Sequence, residues 1–206
     1  MARAVKMEGS DQIVYVSSGE GATSEGEFFE ALNWAAREKL PMLFVIQNNG
    51  YAISVPQATQ TASEIHRIAD GFNMPSLKLD GTLFQSLYHI LPPVISRIRQ
   101  GGGPALVEAH VVRLDPHSSS DDQKKYHQPE ELAAIVVEDP IRRAEDYLLK
   151  EGLLDAARVE EMRARIKAEV DQAADEADAH PVPGGSNLLA HIYAQDGASA
   201  PPSPPN

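Results

Sequence analysis

Two short β-prone runs, Ile13-Val14-Tyr15-Val16-Ser17 and Met42-Leu43-Phe44-Val45-Ile46, flank a single helical pattern, and this arrangement limits the folds open to the chain. Between them, Phe28, Leu32, Ala35 and Ala36 recur at helical spacing up to Lys39, and Pro41 ends the pattern. Ser24 and Glu27 have the spacing of a capping box, which predicts a helix start there. The second run is apolar throughout, as in a strand covered on both faces. Strand, helix and strand in about forty residues form a βαβ unit, whose crossover is right-handed in roughly 98% of cases.

The alternation continues downstream. Leu77-Lys78-Leu79 predicts a short strand, Leu83 to Arg99 a helix that Pro92-Pro93 must kink or divide, and Ala105 to Val112 another strand. The expectation is an α/β fold with a mainly parallel sheet, flanking helices and a helical C-terminal region. Residues 113–128 are polar and too long for a routine connection. After them, Asp139-Pro140 reads as a cap with a first-turn proline, Gly152 as a stop, and Asp155 as the cap of a long helix. That helix carries Val159, Met162, Ile166, Val170 and Ala174 on one stripe, and its acidic residues, Glu160-Glu161 among them, on a solvated face. The expected organisation is one domain: an α/β region over 1–128, its helical extension over 129–195, and a Pro/Ser-rich disordered tail or linker over 196–206.

The ends of the two bracketing strands carry the chemistry. Glu20 follows the first, between Gly19 and Gly21, and Asn49 follows the second in Asn48-Asn49-Gly50-Tyr51. One strand–helix–strand excursion returns the chain to the same carboxyl edge, where open α/β sheets bind ligands. A carboxylate and an amide oxygen are hard donors suited to Mg²⁺ or Ca²⁺, and Mg²⁺ commonly completes its shell with water and phosphate oxygens. The helix start supplies free amides and a positive dipole end for an anion, and the glycines let backbone approach it closely. Taken singly, Gly-x-Gly and Asn-Asn-Gly-Tyr read as ordinary turns; their joint placement is the signal. His117, in the polar loop after a strand, is the acid–base candidate of the seven histidines, against the alternative of a solvated loop residue. The other six show no ligand spacing and read as structural.

Composition narrows the partners. A net charge of −12 argues against nucleic acid, which needs clustered Lys and Arg. The absence of cysteine removes disulfides, thiolate metal sites and cysteine nucleophiles together. No apolar stretch reaches the roughly 20 residues that span a bilayer, and no secretory signal is present at the start, so the expectation is a soluble, cytoplasmic protein with no membrane partner.

The segments Ser18-Gly19-Glu20-Gly21-Ala22-Thr23-Ser24-Glu25-Gly26-Glu27 and Gln47-Asn48-Asn49-Gly50-Tyr51-Ala52-Ile53-Ser54 resemble the thiamine diphosphate motif of 2-oxo acid dehydrogenases. With the loop His117-Ser118-Ser119-Ser120-Asp121-Asp122, Asp139-Pro140-Ile141 and Asn187-Leu188-Leu189, the chain resembles the alpha subunit of their decarboxylating component from about Asp11 to Tyr193. Glu20, where many thiamine enzymes have Asp, and the Ser-Asp-Asp loop tilt the likeness toward the branched-chain 2-oxoisovalerate dehydrogenase type over the pyruvate type.

The resemblance implies Mg²⁺ held by the side chains of Glu20 and Asn49 and the carbonyl of Tyr51. It implies thiamine diphosphate contacts from Gly19, Glu20, Gly21, Ala22, Gln47, Asn49, Tyr51, Ile53 and His117, with His117 also assisting acyl transfer to a lipoyl group. The implied partners are a beta subunit in an alpha2-beta2 heterotetramer, a lipoyl-bearing acyltransferase and a 2-oxo acid substrate. Gln47 departs from an Arg common in the branched-chain type, and Asp115-Pro116 from a more His/Gly-like lead into the loop. Ser118 matches a position phosphorylated in animal relatives, a regulation not carried over here. The family ordinarily has a further N-terminal region, and the glutamate that activates the cofactor ring belongs to the beta subunit. The expectation is therefore a fold incomplete at its N-terminal side and inactive alone, either a truncated or split subunit or the front of a fusion. Two alternatives stand beside it: a non-catalytic remnant or assembly module, and a thiamine enzyme of another class, such as a carboligase.

Overall fold

The computed structural model describes residues 1–182, 184 and 185. The tail 196–206, Asn187-Leu188-Leu189 and His191 lie outside the described residues. The chain divides into two compact units, Met1–Leu154 and Asp155–Asn206.

The first unit opens with helix α1 (Ala2–Glu8), closed by Gly9 in the left-handed region at φ 66°. The sequence pattern did not predict it: seven residues are too few to show a period, and only Ala2 and Val5 are buried. There follow β1 (Val14–Gly19), α2 (Gly26–Arg37), β2 (Met42–Asn48), the small antiparallel hairpin β3 (Tyr51–Ala52) and β4 (Val55–Pro56), and β5 (Ser76–Asp80). Helix α3 (Phe84–Arg97), β6 (Ala105–His110), α4 (Pro129–Val137) and α5 (Pro140–Lys150) complete the unit. Four strands form a parallel sheet in the order β1-β2-β6-β5, which bears out the α/β class.

Side chains alternate across the sheet, so each strand feeds two cores. Phe44, Ile46 and Leu106 face Leu32 and Ala35 of α2 together with Ile65 and Ala69. Leu43, Val45, Ala105 and Val107 face Leu91, Val94 and Ile95 of α3, and Ile98. The central strands β2 and β6 are covered on both sides, as their largely apolar runs require. Edge strand β1 is half-covered: Val14 and Val16 pack inward while Tyr15 and Ser17 stay exposed.

Two local expectations are corrected. The capping box of Ser24 and Glu27 does not form; Gly21–Ser24 make a 3-10 turn, and α2 begins at Gly26 behind Glu25. The turn forms because the Thr23 hydroxyl donates to the Glu20 carbonyl at 2.7 Å, which tightens the chain before the helix can start. The second concerns α3, where of the expected kink or division the division does not occur: one helix runs through Pro92 and Pro93. The two carbonyls that lose an amide partner belong to Tyr88 and His89, both exposed to solvent, and Leu91, Val94 and Ile95 pack the helix on one sheet face on either side of the prolines.

The caps read from the sequence form. Asp139 accepts from the Ile141 amide ahead of α5, and Gly152 takes φ 67° just beyond it. In the second unit, Asp155 accepts from the Arg158 amide at 2.8 Å and starts α6 (Ala156–Ala179). Glu160 and Glu161 are solvated there, and of the apolar stripe Ile166 and Val170 are exposed. Among the described residues no helix is long and apolar enough to cross a membrane.

Candidate functional site at the carboxyl edge of the sheet

Strand β1 ends where Gly19 stands opposite Gln47 of β2, so the residues that follow both strands emerge side by side. Glu20 turns inward and is 2% exposed; its Oε2 accepts the Asn49 amide at 3.2 Å. Among the described residues no Lys, Arg or His pairs with this buried carboxylate, although burying an uncompensated anion is costly.

The turn after β2 is pinned by its own side chains. Asn48 Oδ1 accepts the Gly50 amide at 2.9 Å and Asn49 Oδ1 accepts the Tyr51 amide at 3.2 Å, two Asx turns in succession. Gly50 takes φ 84°, and its carbonyl accepts the Gln57 amide at 2.8 Å. The hairpin β3–β4 then folds back over the first turn. A Cβ at Gly21 would lie 2.5 Å from the Ala52 Cβ, so the close approach requires glycine. At the hairpin tip, Ile53 sits at φ 57°, a region that β-branched residues rarely adopt.

The polar loop 113–128 is tied to this hairpin. Arg113 donates to the Ile53 carbonyl at 2.7 Å and to the Tyr126 hydroxyl at 2.8 Å. Tyr126 donates to Asp121 Oδ2 at 2.6 Å, and the same oxygen accepts the His117 amide at 2.9 Å. The Tyr126 hydroxyl and the His117 amide hold the Asp121 carboxyl below the usual carboxylate range. Burial and then the hydrogen bond to Asp121 push the Tyr126 phenol up. The Tyr51 ring packs on His127 at 4.3 Å between centroids and on Tyr126 at 5.7 Å. A cavity of about 210 Å³ opens beside the turn, lined by Asn49, Tyr51, Arg113 and His127 among others. A larger one, about 440 Å³, lies at the opposite, amino edge of the sheet around Lys39, Pro75 and Gly103, away from these groups.

The structure therefore brings Glu20, Asn49 and Tyr51 together, with Gly21 against the hairpin. Ala22 and Gln47 are exposed at the same edge, Ile53 is exposed at the hairpin tip, and His117 is exposed on the loop, its amide bonded to Asp121 and its side chain making no hydrogen bond to Glu20 or Asn49. One carboxylate, one amide oxygen and backbone carbonyls form a donor set that suits a hard cation with phosphate oxygens completing its shell. The described residues contain no cluster of three His, Asp or Glu side chains fit for a metal.

Comparison with known proteins bears on the whole arrangement. The family model described as "Dehydrogenase E1 component" matches residues 1–185. The chain belongs to the dehydrogenase E1 component family. Within it, the chain is 38% identical to the 2-oxoisovalerate dehydrogenase subunit alpha of Bacillus subtilis (strain 168) over 196 residues, 95% of this chain and 59% of that protein. It is 39% identical to the 3-methyl-2-oxobutanoate dehydrogenase subunit alpha of Mycobacterium tuberculosis (strain ATCC 25618 / H37Rv) over 167 residues, 81% of this chain and 46% of that one. It is 35% identical to the pyruvate dehydrogenase E1 component subunit alpha of Staphylococcus aureus (strain Mu50 / ATCC 700699) over 180 residues, 86% and 49% respectively. The chain thus spans about half the length of these E1 relatives.

Several residues around this candidate site were not singled out from the sequence: Glu108, His66, Gln57, Arg113, Tyr126 and His127. Glu108 had a readable signal, being a lone acid inside the apolar run Ala105–Val112. The others had none, since segments distant in the chain bring them in.

Proposed function

We propose that the chain is the alpha-subunit share of an enzyme that oxidatively decarboxylates a 2-oxo acid with Mg²⁺ and thiamine diphosphate, passing the acyl group to the lipoyl group of an acyltransferase partner. The observation that carries this is the buried Glu20 carboxylate, without a cationic side chain among the described residues, held against the Asn49 turn at the carboxyl edge of an E1-family sheet. In this reading the Glu20 and Asn49 side chains and the Tyr51 carbonyl hold the metal, which anchors the diphosphate and neutralises its charge. Gly19, Gly21, Ala22 and Gln47 line the diphosphate, and Ile53 contacts the cofactor from the hairpin tip. His117 donates a hydrogen bond from its imidazole and assists acyl transfer, on a loop that Arg113, Asp121 and Tyr126 tie to the hairpin tip. The cofactor supplies the carbanion chemistry, and the protein supplies position and electrostatics.

Completion of the site falls to a beta subunit, in an alpha2-beta2 assembly in the cytoplasm. A branched-chain 2-oxo acid is favoured over pyruvate, supported by the branched-chain names of the relatives at 38% and 39% identity against 35% for the pyruvate type. Titration calorimetry of the chain with a beta partner tests the proposal. Thiamine diphosphate binding is expected to require Mg²⁺ and to be lost in Glu20→Ala. Binding that ignores the metal and survives that substitution overturns it. Metal-dependent binding without turnover of either 2-oxo acid, lipoyl acceptor present, identifies a non-catalytic module instead.

A further inference from the structure

Glu108 is a carboxylate in the middle of a buried sheet, 2% exposed, on a strand whose neighbours are Val107 and Ala109. Such a residue is retained only where hydrogen bonds satisfy it, and here both oxygens are used. Oε1 accepts from Asn48 Nδ2 at 2.7 Å. Oε2 accepts the His66 amide at 2.8 Å and faces His66 Nδ1 at 2.9 Å, which places the imidazole proton on Nδ1. Burial acts most strongly on this group and raises its pKa, but the His66 amide, the His66 ring and the Asn48 amide together hold the carboxyl below the usual range.

The consequence travels one residue along the chain. The second Asn48 Nδ2 hydrogen goes to Gln57 Oε1 at 2.8 Å, and Asn48 Oδ1 takes the Gly50 amide. With Val111 donating to the Asn48 carbonyl at 2.9 Å, Asn48 has no freedom left to rotate. Its orientation is set by the anion behind it: Glu108 offers only acceptors, so Asn48 must turn its NH₂ inward and its oxygen toward Gly50. Asn49, whose amide meets Glu20, is thereby held in place.

We propose that Glu108, with His66, is a positioning residue for the Asn48–Tyr51 turn and so for the metal and diphosphate site. It touches neither ligand and acts through Asn48. The inference rests on the proposed function for its ligand, though not for its geometry.

Glu108→Gln is the informative substitution because it keeps the shape and removes one acceptor. Its NH₂ then opposes either the His66 amide or the Asn48 NH₂, and the only local relief, a flip of Asn48, takes the acceptor away from Gly50. Two measurements are made. Amide exchange is expected to rise about tenfold or more at Gly50 and His66, while the β2 amides of Phe44 to Ile46 stay protected. In calorimetry with a beta partner and saturating thiamine diphosphate, the Mg²⁺ needed for half-saturation is expected to rise about 10- to 100-fold. Ile98→Val, a core change just beyond the end of α3, serves as control and is expected to lower Tm without altering the Mg²⁺ requirement. Unchanged exchange and unchanged Mg²⁺ requirement in Glu108→Gln overturn the inference. So does an equal rise in Ile98→Val, which marks a general stability effect. If the unaltered chain shows no metal-dependent binding, the proposed function fails, and the positioning of the turn is then decided by exchange at Gly50 alone.

Discussion

Gly21→Ala probes how closely the hairpin must sit on the first turn. The added Cβ would lie 2.5 Å from Ala52 Cβ, against about 3.5–4.0 Å for an unstrained carbon pair, so hairpin and turn must part by an ångström or more. The neighbouring atoms, Ala52 Cα at 3.5 Å and Gln60 Oε1 at 3.6 Å, tolerate the methyl. Overpacking of this kind costs about 1–3 kcal/mol. Gly21 is not at a positive φ, so alanine would otherwise recover about 0.4–1 kcal/mol of unfolded-state entropy. The expected net loss is about 0–2.6 kcal/mol, or roughly 2–4 °C in Tm per kcal/mol. The sign should reverse in an Ala52→Gly background, where nothing remains to collide with. A double-mutant cycle by urea denaturation measures the coupling, expected at about 1 kcal/mol or more. A coupling near zero refutes the close approach and with it the geometry of the site.

Ile53→Gly removes a β-branched residue from the left-handed region and is expected to stabilise the chain by about 1 kcal/mol in urea denaturation, while weakening Mg²⁺-dependent thiamine diphosphate binding. A loss of stability with unchanged binding counts against both statements. For the loop, Asp121 has a lowered pKa in the folded state, so its ordering effect is complete above the unfolded value of about 3.9 and disappears as pH falls through the lower folded value. Limited acid proteolysis across residues 113–128 should accelerate in that window. Tyr126→Phe should move the onset to higher pH; an onset unmoved by Tyr126→Phe removes Tyr126 from the anchor.

Where an element depends on local chemistry, the sequence was legible. Asp139, Gly152 and Asp155 cap or stop helices as their types demand, and Glu20 and Asn49 met because a βαβ crossover leaves no other place for two successive strand ends. Failures came where tertiary contacts outvote local preference. Pro92 and Pro93 disfavour a helix interior in isolation, but here the residues whose carbonyls lose a partner are exposed, and Leu91, Val94 and Ile95 on either side of the pair pack on the sheet. Ser24 has cap spacing, yet the Thr23 hydroxyl tightens the turn first. Glu108 lies in an otherwise strand-like run, and its partners Asn48 and His66 are 60 and 42 residues away, out of reach of any periodicity.

The hydrogen bond from Gly50 N–H to Asn48 Oδ1 has a consequence for chemical lifetime. Asn-Gly is the dipeptide in which the following backbone nitrogen most easily attacks the asparagine side chain and turns the amide into a carboxylate. At Asn49-Gly50 that nitrogen is engaged by the residue before, and the Asn49 oxygen is held by the Tyr51 amide. The fold thereby shields its own candidate metal ligand from ageing, and a chain that loosens this turn will acquire the lesion as slow, time-dependent acidification at position 49.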